Sequence, residues 1–171
     1  MDLYVKLAKN TIETYIQSGR IYQPKELDLT KEMLSSRAGA FVSIHKDGNL
    51  RGCIGTIAPT QDTLAEEIIY NAISASTKDP RFLPITKDEL DSLIINVDVL
   101  SESEPISSEE ELDVKRFGVI VEKGFKRGLL LPDLEGVDTV SQQISIAKMK
   151  AGIDIDDMDV SLYRFEVIRH T

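Results

Sequence analysis

Residues 39–57 constrain the fold more than any other stretch. Gly39-Ala40-Phe41-Val42-Ser43-Ile44-His45 is rich in β-formers, Lys46-Asp47-Gly48-Asn49 follows, and residues 50–57 supply a returning run. Asp-Gly between two such runs is a strong hairpin signal, because a tight turn of this kind needs positive φ at its centre. A second pair of runs, 117–121 and 127–131, brackets Lys123-Gly124 in the same way. Strands joined by turns this short pair antiparallel, since a parallel crossover needs about a dozen residues. The expected class is α+β, an antiparallel sheet with flanking helices.

The remaining elements follow from periodicity. Leu3, Leu7, Ile12, Tyr15 and Ile16 share a helical face over 3–18, with Gly19 as the stop. A short helix is expected over 30–37. Pro59-Thr60 is expected to open a helix whose apolar stripe is Leu64, Ala65, Ile68, Ile69, Ala72 and Ile73. It ends near Lys78, because Pro80 disfavours helical geometry at Asp79. Thr86-Lys87-Asp88-Glu89 has the form of a capping box. Leu93, Ile95, Val97 and Val99 alternate with Ile94, Asn96, Asp98 and Leu100 as a strand. Residues 101–111, rich in Ser and Glu, read as a surface loop, with a lobe boundary near 101–116. A helix over 138–151 with Gly152 past its end and a strand over 160–168 complete the chain.

At 171 residues the chain suits one compact domain, 1–171, with a core that needs no disulfide or metal. Its 20 Lys+Arg against 29 Asp+Glu leave a net charge of −9, which argues against sequence-independent nucleic-acid binding. The most basic stretch, Lys115, Arg116, Lys123, Lys126 and Arg127, follows an acidic run. No apolar run exceeds three residues, and Asp2, Lys6 and Lys9 interrupt any signal-peptide core, so a cytoplasmic protein without membrane contact is expected. One cysteine excludes a disulfide framework and a multi-cysteine zinc site, and the two histidines, His45 and His170, leave little for a histidine-based one. Neither metal nor cofactor is expected. The acidic run from Asp154 to Asp159 fails as a calcium loop, having Asp159 where Gly is needed and Phe165 where Glu is needed. Phosphate-loop, nucleophile-elbow and zinc-helix motifs are absent.

Arg51-Gly52-Cys53-Ile54-Gly55-Thr56 is the unusual segment. Two glycines weaken a strand but suit the close approach of another backbone or a ligand. Between them sits the only thiol, two residues from Arg51, a cation that favours thiolate if the side chains converge. The structural alternative is a small buried cysteine with the glycines marking a bulge. A two-residue turn at Asp47-Gly48 is the preferred register. It sets Val42 opposite Cys53 and Ile44 opposite Arg51, with His45 and Cys53 on opposite faces; a three-residue loop would put them on one face. His45 otherwise reads as a strand-end surface residue and His170 as a frayed terminus. In Asp79-Pro80-Arg81-Phe82, Asp79 and Arg81 are placed to pair or to hold an anionic ligand, and Phe82 to plug the core.

Taken together these segments resemble the AMMECR family, also called AmmeMemoRadiSam system protein A. The resemblance rests on Gly39-Ala40-Phe41-Val42, Leu50-Arg51-Gly52-Cys53-Ile54-Gly55-Thr56, Asp79-Pro80-Arg81-Phe82, Gly128-Leu129-Leu130-Leu131-Pro132 and Lys150-Ala151-Gly152-Ile153, in the family's order. Asp133 and Asp98 depart from the pattern of relatives. The resemblance implies an α+β fold of two unequal lobes and a genomic link to Memo-like proteins of dioxygenase fold and to radical S-adenosylmethionine proteins, but no reaction. The leading expectation is an enzyme or enzyme component centred on residues 51–56. Cys53 is its nucleophile or thiol donor and Arg51 its cation, with Gly52, Gly55, Thr56, Asp79 and Arg81 as candidate substrate-binding residues. The alternatives are a non-catalytic adaptor docking such a partner and a nucleic-acid-related regulator.

Overall fold

The computed structural model describes residues 1–171. The chain divides into two compact units, Met1–Leu100 with Ile168–Thr171, and Ser101–Val167. The elements are α1 (Leu3–Ser18), α2 (Lys31–Ser35), β1 (Ala40–Lys46), β2 (Asn49–Gly55), α3 (Leu64–Thr77), β3 (Leu93–Leu100), β4 (Glu104–Ile106), β5 (Phe117–Lys123), β6 (Lys126–Leu130), α4 (Val140–Ala151) and β7 (Ser161–His170). Every strand pairing within each unit is antiparallel, and the class is α+β.

In the first unit β1 lies between β2 and β3. Ala40, Val42 and Ile44 alternate inward along β1, as do Ile95 and Val97 along β3, and join one core with α1 and α3. Asp2 caps α1 by accepting from the Tyr4 and Val5 N–H groups, and Gly19 ends it in the left-handed region. The end of the chain returns to this unit rather than fraying. His170 Nδ1 is 2.9 Å from Asp2 Oδ2, and its ring stacks on Tyr4 at 3.8 Å between centroids. Arg169 pairs in bidentate fashion with Asp98, which is buried.

Helix α3 begins at Leu64, the first residue of its apolar stripe, and not at Pro59-Thr60. Thr63 is the N-cap, accepting from Glu66 N–H, and Pro59 and Thr60 lie in a loop. The buried Glu67 carboxylate holds that loop by accepting from the Thr60 and Gln61 N–H groups. The capping box at Thr86–Glu89 forms as expected but opens a 3₁₀ turn, Lys87–Ser92, not an α-helix.

In the second unit β7 lies between β4 and β5, and β6 pairs β5. Helix α4 packs on β5 and β6, enclosing Val119, Val121, Leu130, Ile144 and Ala147. Gly128 lies where a Cβ would fall 1.9 Å from the Ala147 carbonyl oxygen, so the strand and helix backbones touch. The stretch 101–111 is not a plain loop. It contains β4 and a 3₁₀ turn at Glu109–Glu111, closed by Glu111 accepting from Ser107 and Ser108.

Candidate functional site

The 39–57 hairpin turns through Asp47 (φ 53°) and Gly48 (φ 78°), the two-residue turn expected, with Lys46 opposite Asn49 and His45 opposite Leu50. One step further the register breaks. Ile44 lies opposite Gly52 and Ser43 opposite Cys53, so Arg51 is the extra residue of a β-bulge. The expected pairings Val42–Cys53 and Ile44–Arg51 are therefore wrong, and so is the placing of His45 and Cys53 on opposite faces. A bulge shifts every later residue by one and turns it to the other face. Cys53 now shares a face with Phe41, Ser43 and His45, away from the helices. Gly52 takes the inward position, where a Cβ would fall 2.2 Å from the Ala75 carbonyl oxygen of α3.

Cys53 is half-buried, with its sulfur 3.4 Å from Ser43 Oγ. The row continues to Asn96, which pairs Ser43 from β3. Its main chain is held from outside the sheet. Asp79 Oδ2 accepts from the Cys53 N–H at 3.0 Å, and Arg81 Nη2 donates to the Cys53 carbonyl at 3.4 Å. Because β2 has a neighbour on one side only in its unit, these bonds replace those of a missing strand. Arg81 also clamps Asp79 through Nε and Nη2, at 3.0 and 2.8 Å. That guanidinium, with the Cys53 and Arg81 N–H groups, holds the buried Asp79 carboxyl far below the usual carboxylate range despite the opposing cost of burial. The Asp79 bridge raises Arg81 in turn, and the Cys53 sulfur adds to the same effect. Arg81 Nη1 makes no hydrogen bond within the chain, the guanidinium lies 5.4 Å from the Phe82 ring centroid, and the side chain is 57% exposed.

Arg51 is occupied elsewhere. It donates to both oxygens of Glu89, at 2.9 and 3.1 Å, and to the carbonyls of Leu83 and Pro84. Lys46 reaches the same carboxylate at 3.2 Å. Arg51 lowers Glu89 to about 2, aided by the Thr86 N–H and Lys46, with burial opposing. The cation beside Cys53 is Arg81, whereas Arg51 fastens residues 83–89 to β2.

Thr56 faces a buried polar cluster that periodicity did not single out. Glu67 accepts from Thr56 Oγ1 and Thr60 Oγ1, and Asn71 donates to the Ala40 carbonyl and to Thr56 Oγ1. Glu67 is three residues past Leu64 and Asn71 three past Ile68, inside the apolar stripe, and that spacing was the available signal. Gly55 lies under the Phe41 ring, where a Cβ would meet Cγ at 2.2 Å. The basic residues of 115–127 are largely paired, Lys115 with Asp133, Arg116 with Glu166 and Lys123 with Asp157.

The AMMECR1 family model matches residues 5–170. The chain belongs to the AMMECR1 family. A Thermotoga maritima protein is 55% identical over 168 residues, covering 98% of this chain and 96% of its own length. A Clostridium acetobutylicum protein is 50% identical across 99% of this chain, which spans only 36% of that longer relative. Among solved structures, an uncharacterised Pyrococcus horikoshii protein superposes with a TM-score of 0.86 at 34% identity, over 97% of this chain and 88% of its own. No helix of this AMMECR1-family chain is long and apolar enough to cross a membrane.

Proposed function

We propose that this AMMECR1-family chain is an enzyme or enzyme component acting through the Cys53 thiol, as nucleophile or thiol donor, on a substrate with an anionic group that Arg81 meets. The observation that supports this reading is the asymmetry of the Cys53 residue. Its N–H and carbonyl are gripped by Asp79 and Arg81, while its sulfur stays half-buried on the helix-free face and Arg81 Nη1 is left unbonded. Fixing the backbone of a reactive residue lowers the entropy lost when substrate is positioned. Arg51, Gly52, Gly55 and Thr56 act here as positioning residues, since each is engaged with protein.

The test is charge-selective alkylation. Iodoacetate and iodoacetamide should both label native Cys53, the only thiol, with iodoacetate favoured by Arg81. Arg81→Gln should reduce the iodoacetate-to-iodoacetamide rate ratio several-fold and Arg81→Lys should restore much of it. Labelling only after unfolding, or a ratio indifferent to Arg81, would sink the reading.

The second reading is an adaptor for a Memo-like protein or a radical S-adenosylmethionine protein. It is favoured by the Clostridium relative, in which the matching region is joined to a longer remainder of the chain. Binding of purified recombinant partner that survives Cys53→Ala would support the adaptor; binding lost in that variant would favour the thiol-centred reading.

A further inference from the structure

From a concavity in the first unit we infer a binding site for a small organic cation, an alkylammonium or alkylguanidinium group, centred on Glu66. The cavity is about 290 Å³ and lies between the segment after α1 and the outer face of α3. That volume is close to the lower end of small-molecule pockets and accommodates one short amine chain. Ile21, Pro24 and Ile69 supply apolar wall, Tyr22 and Tyr70 two aromatic rings, and Glu66 the charge.

The decisive feature is Glu66. Seven carboxylates of the first unit are at least half-buried: Asp2, Glu13, Glu66, Glu67, Asp79, Glu89 and Asp98. Six of them have a hydrogen bond or ion pair within the chain. Glu66 alone has none, yet it lines a cavity. It belongs to the first turn of α3 and is the only charged side chain in the cavity lining. A partly desolvated carboxylate gains most from a cation that brings its own hydrogen-bond donors.

The surroundings suit the remainder of such a ligand. Tyr70 is one helical turn beyond Glu66 on the same face, and a cation over a tyrosine ring is attracted to its π face. The walls are held in advance. Tyr22 Oη donates to the Glu26 carbonyl and accepts from Asn10, Arg20 braces Glu26, and Arg37 Nε holds the Gln61 carbonyl. Glu67 fixes the Gln61 N–H from below. A site needing no rearrangement avoids much of the entropy cost of binding. The net charge of −9 attracts cations at long range.

The experiment is an amide-resolved NMR titration of the full chain at fixed ionic strength, with 1,5-diaminopentane as probe and pentane-1,5-diol as its uncharged counterpart. The diamine should perturb Tyr22, Gln61, Ile69 and Tyr70 saturably at about 1 mM or below, while the diol leaves them unmoved. Glu66→Gln, placed at a solvent-accessible helix position and checked for native fold by its own spectrum, should weaken the diamine at least about tenfold. Tyr70→Ala should weaken it less. Capped lysine (Nα-acetyl-lysine N-methylamide) distinguishes the source. Equal affinity assigns the site to a side chain of another protein, and binding of the free diamine alone assigns it to a metabolite amine. Absence of saturation, equal binding of the diol, or indifference to Glu66→Gln would each overturn the proposal.

Discussion

Gly52 and Cys53 are consecutive residues with opposite demands, and the difference shows what the bulge accomplishes. At Gly52 a Cβ would sit 2.2 Å from a backbone oxygen of α3, which cannot swing aside. Gly52→Ala should therefore push the helix off the strand and cost about 3 kcal/mol, the upper part of the usual overpacking range, measurable by urea unfolding. Cys53, one position on, faces away from that helix, beside the Ser43 hydroxyl. Cys53→Ala removes a half-buried thiol and no backbone bond, so its stability should change by under about 1 kcal/mol. A thiol whose removal is cheap for folding is one whose chemical role can be tested cleanly. Both assignments depend on Arg51 taking the extra place in the strand, which local propensity does not encode.

At the level of elements, the segment from Asp79 to Glu89 behaves as a strap along the open edge of β2. Asp79 and Arg81 hold one point, Cys53, and Glu89 holds Arg51 two residues earlier. Both strap carboxylates ionise more readily in the folded chain than when free. A depressed folded value means that the unfolded chain binds protons first, so the contribution is full above the ordinary value near 4.5 for Glu89 and is lost as pH falls toward about 2. Glu89→Gln should thus cost about 1.5–3 kcal/mol at neutral pH, with the gap to wild type closing across that window in acid-unfolding curves. A gap that stays constant with pH would mean that the strap is held by packing and not by the charge. The α3 cluster is the complementary case. Its Glu67 has only neutral donors, so Glu67→Ala should orphan Thr60 and Gln61 N–H groups and loosen residues 56–61, seen as faster amide exchange there.

For the whole molecule, the notable device is the return of the last four residues to the unit in which the chain begins. Asp98 is 1% exposed and receives both Arg169 donors, at 2.8 and 2.9 Å. Removing the cation leaves a buried carboxylate without its partner, so Arg169→Ala should lower unfolding free energy by roughly 2–4 kcal/mol, discounted because Arg169 itself is half-exposed. Asp98→Asn combined with Arg169→Met should recover most of that loss, since no charge is then stranded. Asp2 makes the same tie at the other end. It caps α1 and meets His170, and those bonds outweigh burial to lower its carboxyl.

The sequence alone determined the class and most of the elements, though not β4. Turn chemistry at Asp47-Gly48, the alternation over 93–100, the capping box at Thr86–Glu89 and the terminal glycines act within a few residues, and each appears in the structure where short-range physics places it. The family resemblance was legible for the same reason, because its motifs are contiguous. What tertiary structure alone decided is which side chains meet. The bulge at Arg51 exists because its guanidinium satisfies Glu89 and two carbonyls some thirty residues away, and that choice turns Cys53 outward and gives it Arg81 in place of Arg51. Such partners are distant in sequence and carry no local periodic signature, and their pairing becomes favourable only once packing has excluded water.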